Sequence, residues 1–145
     1  MRRQRGFSLI ELLVVLAIAG LMTGLAVASL GNGQAAVDQA LQRLAAETRS
    51  QAVLARHAGQ LRGLRWNGQR PEFVRRQGDA WALETVALGD WPKGLHPDWP
   101  ASSQPQLLFT PHGWAQPGSV HWRWADGSQR WAWSRDGRLR IAVAP

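Results

Sequence analysis

The sequence contains no cysteine and no tyrosine. The first absence removes disulfide staples, thiolate nucleophiles and thiolate metal ligands, although it does not fix a compartment, because many exported domains lack disulfides. Its four histidines, His57, His96, His112 and His121, fall into neither an H-x₃-H nor an H-E-x-x-H spacing, so a zinc site has no support. There is no G-x-S-x-G, no P-loop and no G-x-G-x-x-G. The acidic residues are scattered and offer no catalytic pair. Asp126-Gly127 and Asp136-Gly137 read as hairpin turns rather than as calcium ligands. No enzyme activity, cofactor or metal is expected.

The 145 residues suffice for one small domain plus an anchor. Formal net charge is +7, but Arg2, Arg3 and Arg5 precede a long apolar run, and without those three the charge is +4. The bulk basicity is thus weak support for nucleic-acid binding. Nine tryptophans replace the missing tyrosines, and most lie after residue 80 in stretches that read as strands.

Residues 7–30 form a run of 24, apolar apart from a few small polar side chains and one charge, Glu11. As a helix this run extends roughly 36 Å, enough to cross a hydrocarbon core of ~30 Å. The three arginines before it favour a cytoplasmic N-terminus with the rest of the chain sent across. Three readings compete. A cleaved secretory signal is one: Ala26-Val27-Ala28 before Ser29 resembles its cleavage site, but the run exceeds the usual h-region and contains Glu11. A plain membrane anchor with Glu11 snorkelling to the interface is the second.

The third uses every feature. Gly6-Phe7-Ser8-Leu9-Ile10-Glu11, after a short basic leader and before a long apolar helix, resembles the processing motif of type IV pilin-like proteins. The resemblance implies cleavage after Gly6 by a prepilin peptidase and methylation of the new amine at Phe7. Burying that amine or Glu11 alone is costly. In a bundle of such helices, Glu11 of one subunit neutralises the Phe7 amine of a neighbour. Such a pair adds little net stability, but it fixes register, because a slipped arrangement leaves both charges unpaired.

After the run, Gly31-Asn32-Gly33 is expected to loosen the helix. A helical pattern resumes over 34–58, with Val37, Leu41, Leu44, Thr48, Ala52 and Ala55 on one face and Gly59 as the stop. This gives four segments: leader 1–6, membrane and assembly helix 7–30, amphipathic continuation 31–59, and a β-rich domain over 60–145. In the last, about seven short antiparallel strands are expected, at 61–66, 72–76, 80–86, 106–110, 120–124, 129–134 and 138–143. Asn67-Gly68, Gln77-Gly78-Asp79, Asp126-Gly127 and Asp136-Gly137 supply turns, and 89–106 reads as a long ordered loop. The fold class is α+β, without βαβ alternation or internal repeat. Trp122, Trp124, Trp131 and Trp133 are expected to form a cross-strand core cluster rather than a stacking platform for single-stranded nucleic acid or sugars. Trp91, Trp99 and Trp114, in loops, are the candidates for a partner surface.

The chain resembles the GspH/FimT branch of the pilin-like proteins. The carrying residues are Gln42-Arg43-Leu44-Ala45 with Arg49 and Ala52, the strand holding Trp81, the stretch Leu107-Leu108-Phe109-Thr110-Pro111-His112-Gly113, and the ending Ser134-Arg135-Asp136-Gly137-Arg138-Leu139. The resemblance implies a helix packed on two sheets. On its GspH side it implies a minor pseudopilin near the tip of the periplasmic pseudopilus of a type II secretion system. Such a subunit is anchored in the inner membrane and meets I-, J- and K-type minor pseudopilins, the major pseudopilin and exoprotein cargo. On its FimT side it implies a minor type IV pilin, with a DNA-binding site at Arg138 and Arg140. Two arginines at i and i+2 on a last strand also read as a solvated edge that discourages strand pairing. A third class is a bitopic protein whose β-domain binds a carbohydrate or peptide, which requires no cleavage after Gly6.

Overall fold

A computed structural model describes residues 6, 8–112 and 117–143, and of 26–32 it describes the backbone alone. Helix α1 spans Leu9–Ala58. The strands are β1 (Arg62–Trp66), β2 (Pro71–Gln77), β3 (Ala80–Leu83), β4 (His96–Pro97), β5 (Leu107–Phe109), β6 (Gly118–Trp124), β7 (Gly127–Trp133) and β8 (Leu139–Val143). The chain divides into two units, Met1–Ala36 and Val37–Pro145.

In the first unit the part of α1 from Leu9 to Leu25 exposes apolar side chains along its whole length. From Leu9 to Leu25, eleven large apolar side chains are each 52–78% exposed. Such a surface calls for lipid or other helices around it rather than water. Among the described residues no helix is long and apolar enough to cross a membrane. The side chains of 26–32 lie outside the description, so the span expected over 7–30 is covered only in part. The helix does not loosen at Gly31-Asn32-Gly33, since its backbone stays helical from Leu9 to Ala58. Two isolated glycines weaken a helix by about 1 kcal/mol each, which the long flanking segments absorb.

The second unit has a core between the helix and two four-stranded antiparallel sheets, in orders β3-β2-β1-β5 and β4-β6-β7-β8. Val37, Leu41, Leu44, Thr48 and Ala55 are buried as the 3.6-residue spacing requires, and Ala52 packs beside them. Gly59 ends the helix in the left-handed conformation (φ 61°), and the amide of Gln60 donates back to the carbonyl of Ala55 at 3.2 Å.

In the first sheet, Leu64 pairs with Phe73 on one side and Leu107 on the other, and all three are buried. Gly63, beside them, has no room for a side chain: a Cβ there would lie 2.5 Å from Pro105 Cβ and 2.8 Å from the Leu107 carbonyl oxygen. The β1–β2 loop holds four residues, 67–70, with the Asn67 side chain accepting from the amides of Gln69 and Arg70 at 2.8 Å. The β2–β3 turn is the tight Gly78-Asp79.

In the second sheet the β6–β7 turn is Ala125-Asp126, one residue before the expected Asp126-Gly127, because Gly127 already pairs with Trp124. The Trp124 indole lies against Gly127, with ring atoms 3.0–3.3 Å from where a Cβ would stand. Six tryptophans form one continuous chain of ring contacts, Trp99–Trp133–Trp131–Trp122, with Trp91 and Trp66 both against Trp122. Trp122 and Trp131 are fully buried, at a centroid distance of 5.7 Å. Trp122, Trp131 and Trp133 therefore lie in the core, as their alternation predicts, and Trp124 packs half-buried against it. The short strand β4, within the stretch expected to be loop, was not legible: its Pro97 is buried and pairs with Trp122.

Candidate assembly site and cationic sheet face

Ser8 caps α1. Its hydroxyl oxygen accepts from the Glu11 amide at 3.2 Å, and its carbonyl accepts from Leu12 at 3.1 Å. Ser8-Leu9-Ile10-Glu11 thus has the spacing of a capping box, an N-terminus signal present in the sequence and not used there. The cap places Glu11 in the first turn, where the positive end of the helix favours a carboxylate. Glu11 is exposed, and among the described residues its carboxylate has no partner. Gly6 is exposed with open space around it. Phe7, the expected site of methylation, lies outside the described residues.

The expected partner tryptophans fare differently. Trp91 is half-buried against Trp66 and Trp122 and donates its indole N–H to the Leu95 carbonyl at 2.8 Å. Trp99 stacks on Trp133 at 6.2 Å and donates to the Ser119 carbonyl at 3.1 Å. Core packing accounts for both indoles. Trp114 lies outside the described residues.

Arg138 and Arg140 are exposed at the end of the second sheet. Arg138 pairs with Asp136 at 3.4 Å across the β7–β8 turn. The Asp136 carboxylate also accepts from the Ser134 hydroxyl and from the Arg138 amide. The Ser134 hydroxyl first, then the Arg138 amide and guanidinium, hold its carboxyl below the ordinary carboxylate value.

The register places more cations on that face. His121 is opposite Arg130, Arg130 is opposite Ala142, and Ala132 is opposite Arg140. Arg123 stands two residues from His121 along β6, so it shares the face. Arg123, Arg130 and Arg140 are all exposed, while the opposite face carries Val120, Trp122 and Trp131 in the core. The spacing in the sequence marks Arg138 and Arg140 as a pair, whereas Arg123 and Arg130 join them only through the register. Their alternation with tryptophan in β6 and β7 was the available signal.

The prokaryotic N-terminal methylation motif matches residues 1–27. No curated protein matches the chain significantly. Among solved structures, the minor pseudopilin EpsH from the type 2 secretion system of Vibrio cholerae aligns with a TM-score of 0.59 at 18% identity, covering 74% of this chain and 96% of that one. The fold is pilin-like. The pilin-like N-terminal motif implies processing by a prepilin peptidase, anchoring in the inner membrane and exposure of the domain to the periplasm. The long N-terminal helix and antiparallel sheets expected from the sequence are those of the EpsH fold.

Proposed function

We propose that this chain is a minor pseudopilin of a type II protein secretion system, a filament subunit rather than an enzyme. The observation that supports this reading is the union in one chain of the methylation motif over residues 1–27 with the fold of EpsH, itself a minor pseudopilin. The apolar helix anchors the precursor in the inner membrane. Cleavage after Gly6 frees the Phe7 amine, and the helix then moves from lipid into a bundle of like helices. Glu11, held in the first turn by Ser8, meets the amine of a neighbouring subunit there. Desolvation makes this pairing selective, because a helix out of register leaves a carboxylate and an amine both unpaired in an apolar bundle.

The test is in-cell cross-linking of the full chain with the I-, J- and K-type minor pseudopilins and the major pseudopilin. Cross-links that disappear when Glu11 is replaced support the reading. A chain that is processed normally yet cross-links to none of them contradicts it.

A second reading, a FimT-like minor pilin that takes part in DNA uptake, is favoured by one observation. The register sets Arg123 and Arg130 on the same face as Arg140, beside Arg138. Phosphate contacts by such a face fall steeply with salt. Duplex DNA binding that persists near physiological salt and is lost in Arg123→Ala/Arg130→Ala would establish it.

A further inference from the structure

β8 ends its sheet, so among the described residues only β7 pairs with it. A strand in this position leaves alternate N–H and C=O groups turned outward. Its apolar side is also uncovered: Leu139 packs on the core, but Ile141 is 41% and Val143 72% exposed. Ile141 continues into a groove shared with Leu41 and Ala45 of α1, with Asp38 and Arg49 among its polar lining. An open backbone edge, an apolar strip and an adjoining groove therefore occur at one place.

We propose that β8 is a strand-addition site for an extended segment of a partner protein that alternates acidic and apolar residues. The apolar residues of that segment cover Ile141 and Val143 beside the groove, and its acidic residues face Arg138 and Arg140. Charge decides the occupant. A second copy paired through its own β8 would bring Arg138, Arg140 and Arg130 of both copies onto one face, and like charges across a strand pair destabilise it. The arginines thus reject both self-pairing and basic strands, and admit an acidic one. Main-chain hydrogen bonds supply affinity and the alternating side chains supply selectivity. This inference does not depend on the secretion reading.

The experiment uses the full chain in detergent micelles with two fluorescent peptides, one alternating glutamate with valine and the other lysine with valine. The acidic peptide binds about tenfold more tightly than the basic one, since opposite charges across a strand pair favour the pairing and like charges oppose it. Its binding shifts the amide resonances of Leu139–Val143. Arg138→Glu/Arg140→Glu reverses the preference, and Arg140→Glu, which leaves the Asp136 turn intact, reduces it. A reversal of preference is not a consequence of misfolding. Three results overturn the proposal: no binding of the acidic peptide while duplex DNA binds to the same arginines; equal binding of both peptides with the charge variants indifferent; or a dimer of the full chain that dissociates on Ile141→Lys, which gives the edge to a second copy.

Discussion

Arg62, on the inward face of β1, donates to the side-chain oxygen of Gln51 on α1 at 2.9 Å, and both residues are buried. The same guanidinium lies 3.4 Å from Glu84, which also approaches Arg75 at 3.6 Å. Gln51 in turn donates to Glu47 at 2.9 Å. This polar string crosses from the helix to the first sheet through an otherwise apolar interior. It specifies how the two meet, since any other arrangement strands a buried charge. Arg62→Ala should lower stability to denaturant by about 2–4 kcal/mol, because it leaves Gln51 and part of Glu84 without a donor. Replacing Arg62 with Met and Gln51 with Leu together should recover much of that loss. A double variant no more stable than Arg62→Ala would mean that packing, not pairing, sets the cost.

Gly63 marks where the segment before β5 crosses β1. Its backbone is ordinary, so the glycine serves close approach rather than an unusual conformation. Gly63→Ala pushes against a backbone carbonyl and a proline ring, neither of which yields easily, and should cost about 1–3 kcal/mol in thermal or chemical unfolding. A neutral result would show that the Pro105 segment moves aside.

The turn at Asp136 should respond to pH. Its folded carboxyl titrates below the ordinary value, so the stabilisation it gives is present above that value and is lost as pH falls through the folded one. An NMR titration of the Arg138 amide should report a midpoint below the usual carboxylate range. Asp136→Asn should remove the transition from that resonance.

Much of this arrangement was legible in the sequence, for identifiable reasons. Val37, Leu41 and Leu44 follow a 3.6-residue period, and Trp122 and Trp131 a two-residue alternation, so each element announced its buried side. β4 did not, because two residues show no period and one of them is proline. Gln51 and Arg62 are polar residues at core positions, and only the fold reveals that one hydrogen-bonds to the other. Trp91 and Trp99 looked available because a loop gave no sign that it folds back on Trp122 and Trp133. Arg123 and Arg130 stand on different strands, so their meeting with Arg140 on one face depends on register.

Glu11→Ala should leave cleavage intact and impair incorporation into a filament, because the peptidase site at Gly6 is retained while the partner of the Phe7 amine is lost. Glu11→Ala also removes an acidic residue from the first turn of α1, worth roughly 0.3–1 kcal/mol of helix stability. Glu11→Asp keeps that charge on a shorter side chain and separates the two effects: it should preserve the acidic charge in the first turn and still weaken assembly. Filament incorporation at the wild-type level for Glu11→Ala would refute the register role.

The most direct measurement is the intact N-terminal mass of the full chain, recovered from membranes of cells that express a prepilin peptidase. The account predicts a chain that begins at Phe7 and carries one added methyl group, and a chain that keeps residues 1–6 when Gly6 is replaced by Val. An N-terminus left at Met1 would make residues 7–30 a plain anchor. One that begins at Ser29 would make them a secretory signal. Either result would contradict the filament assignment.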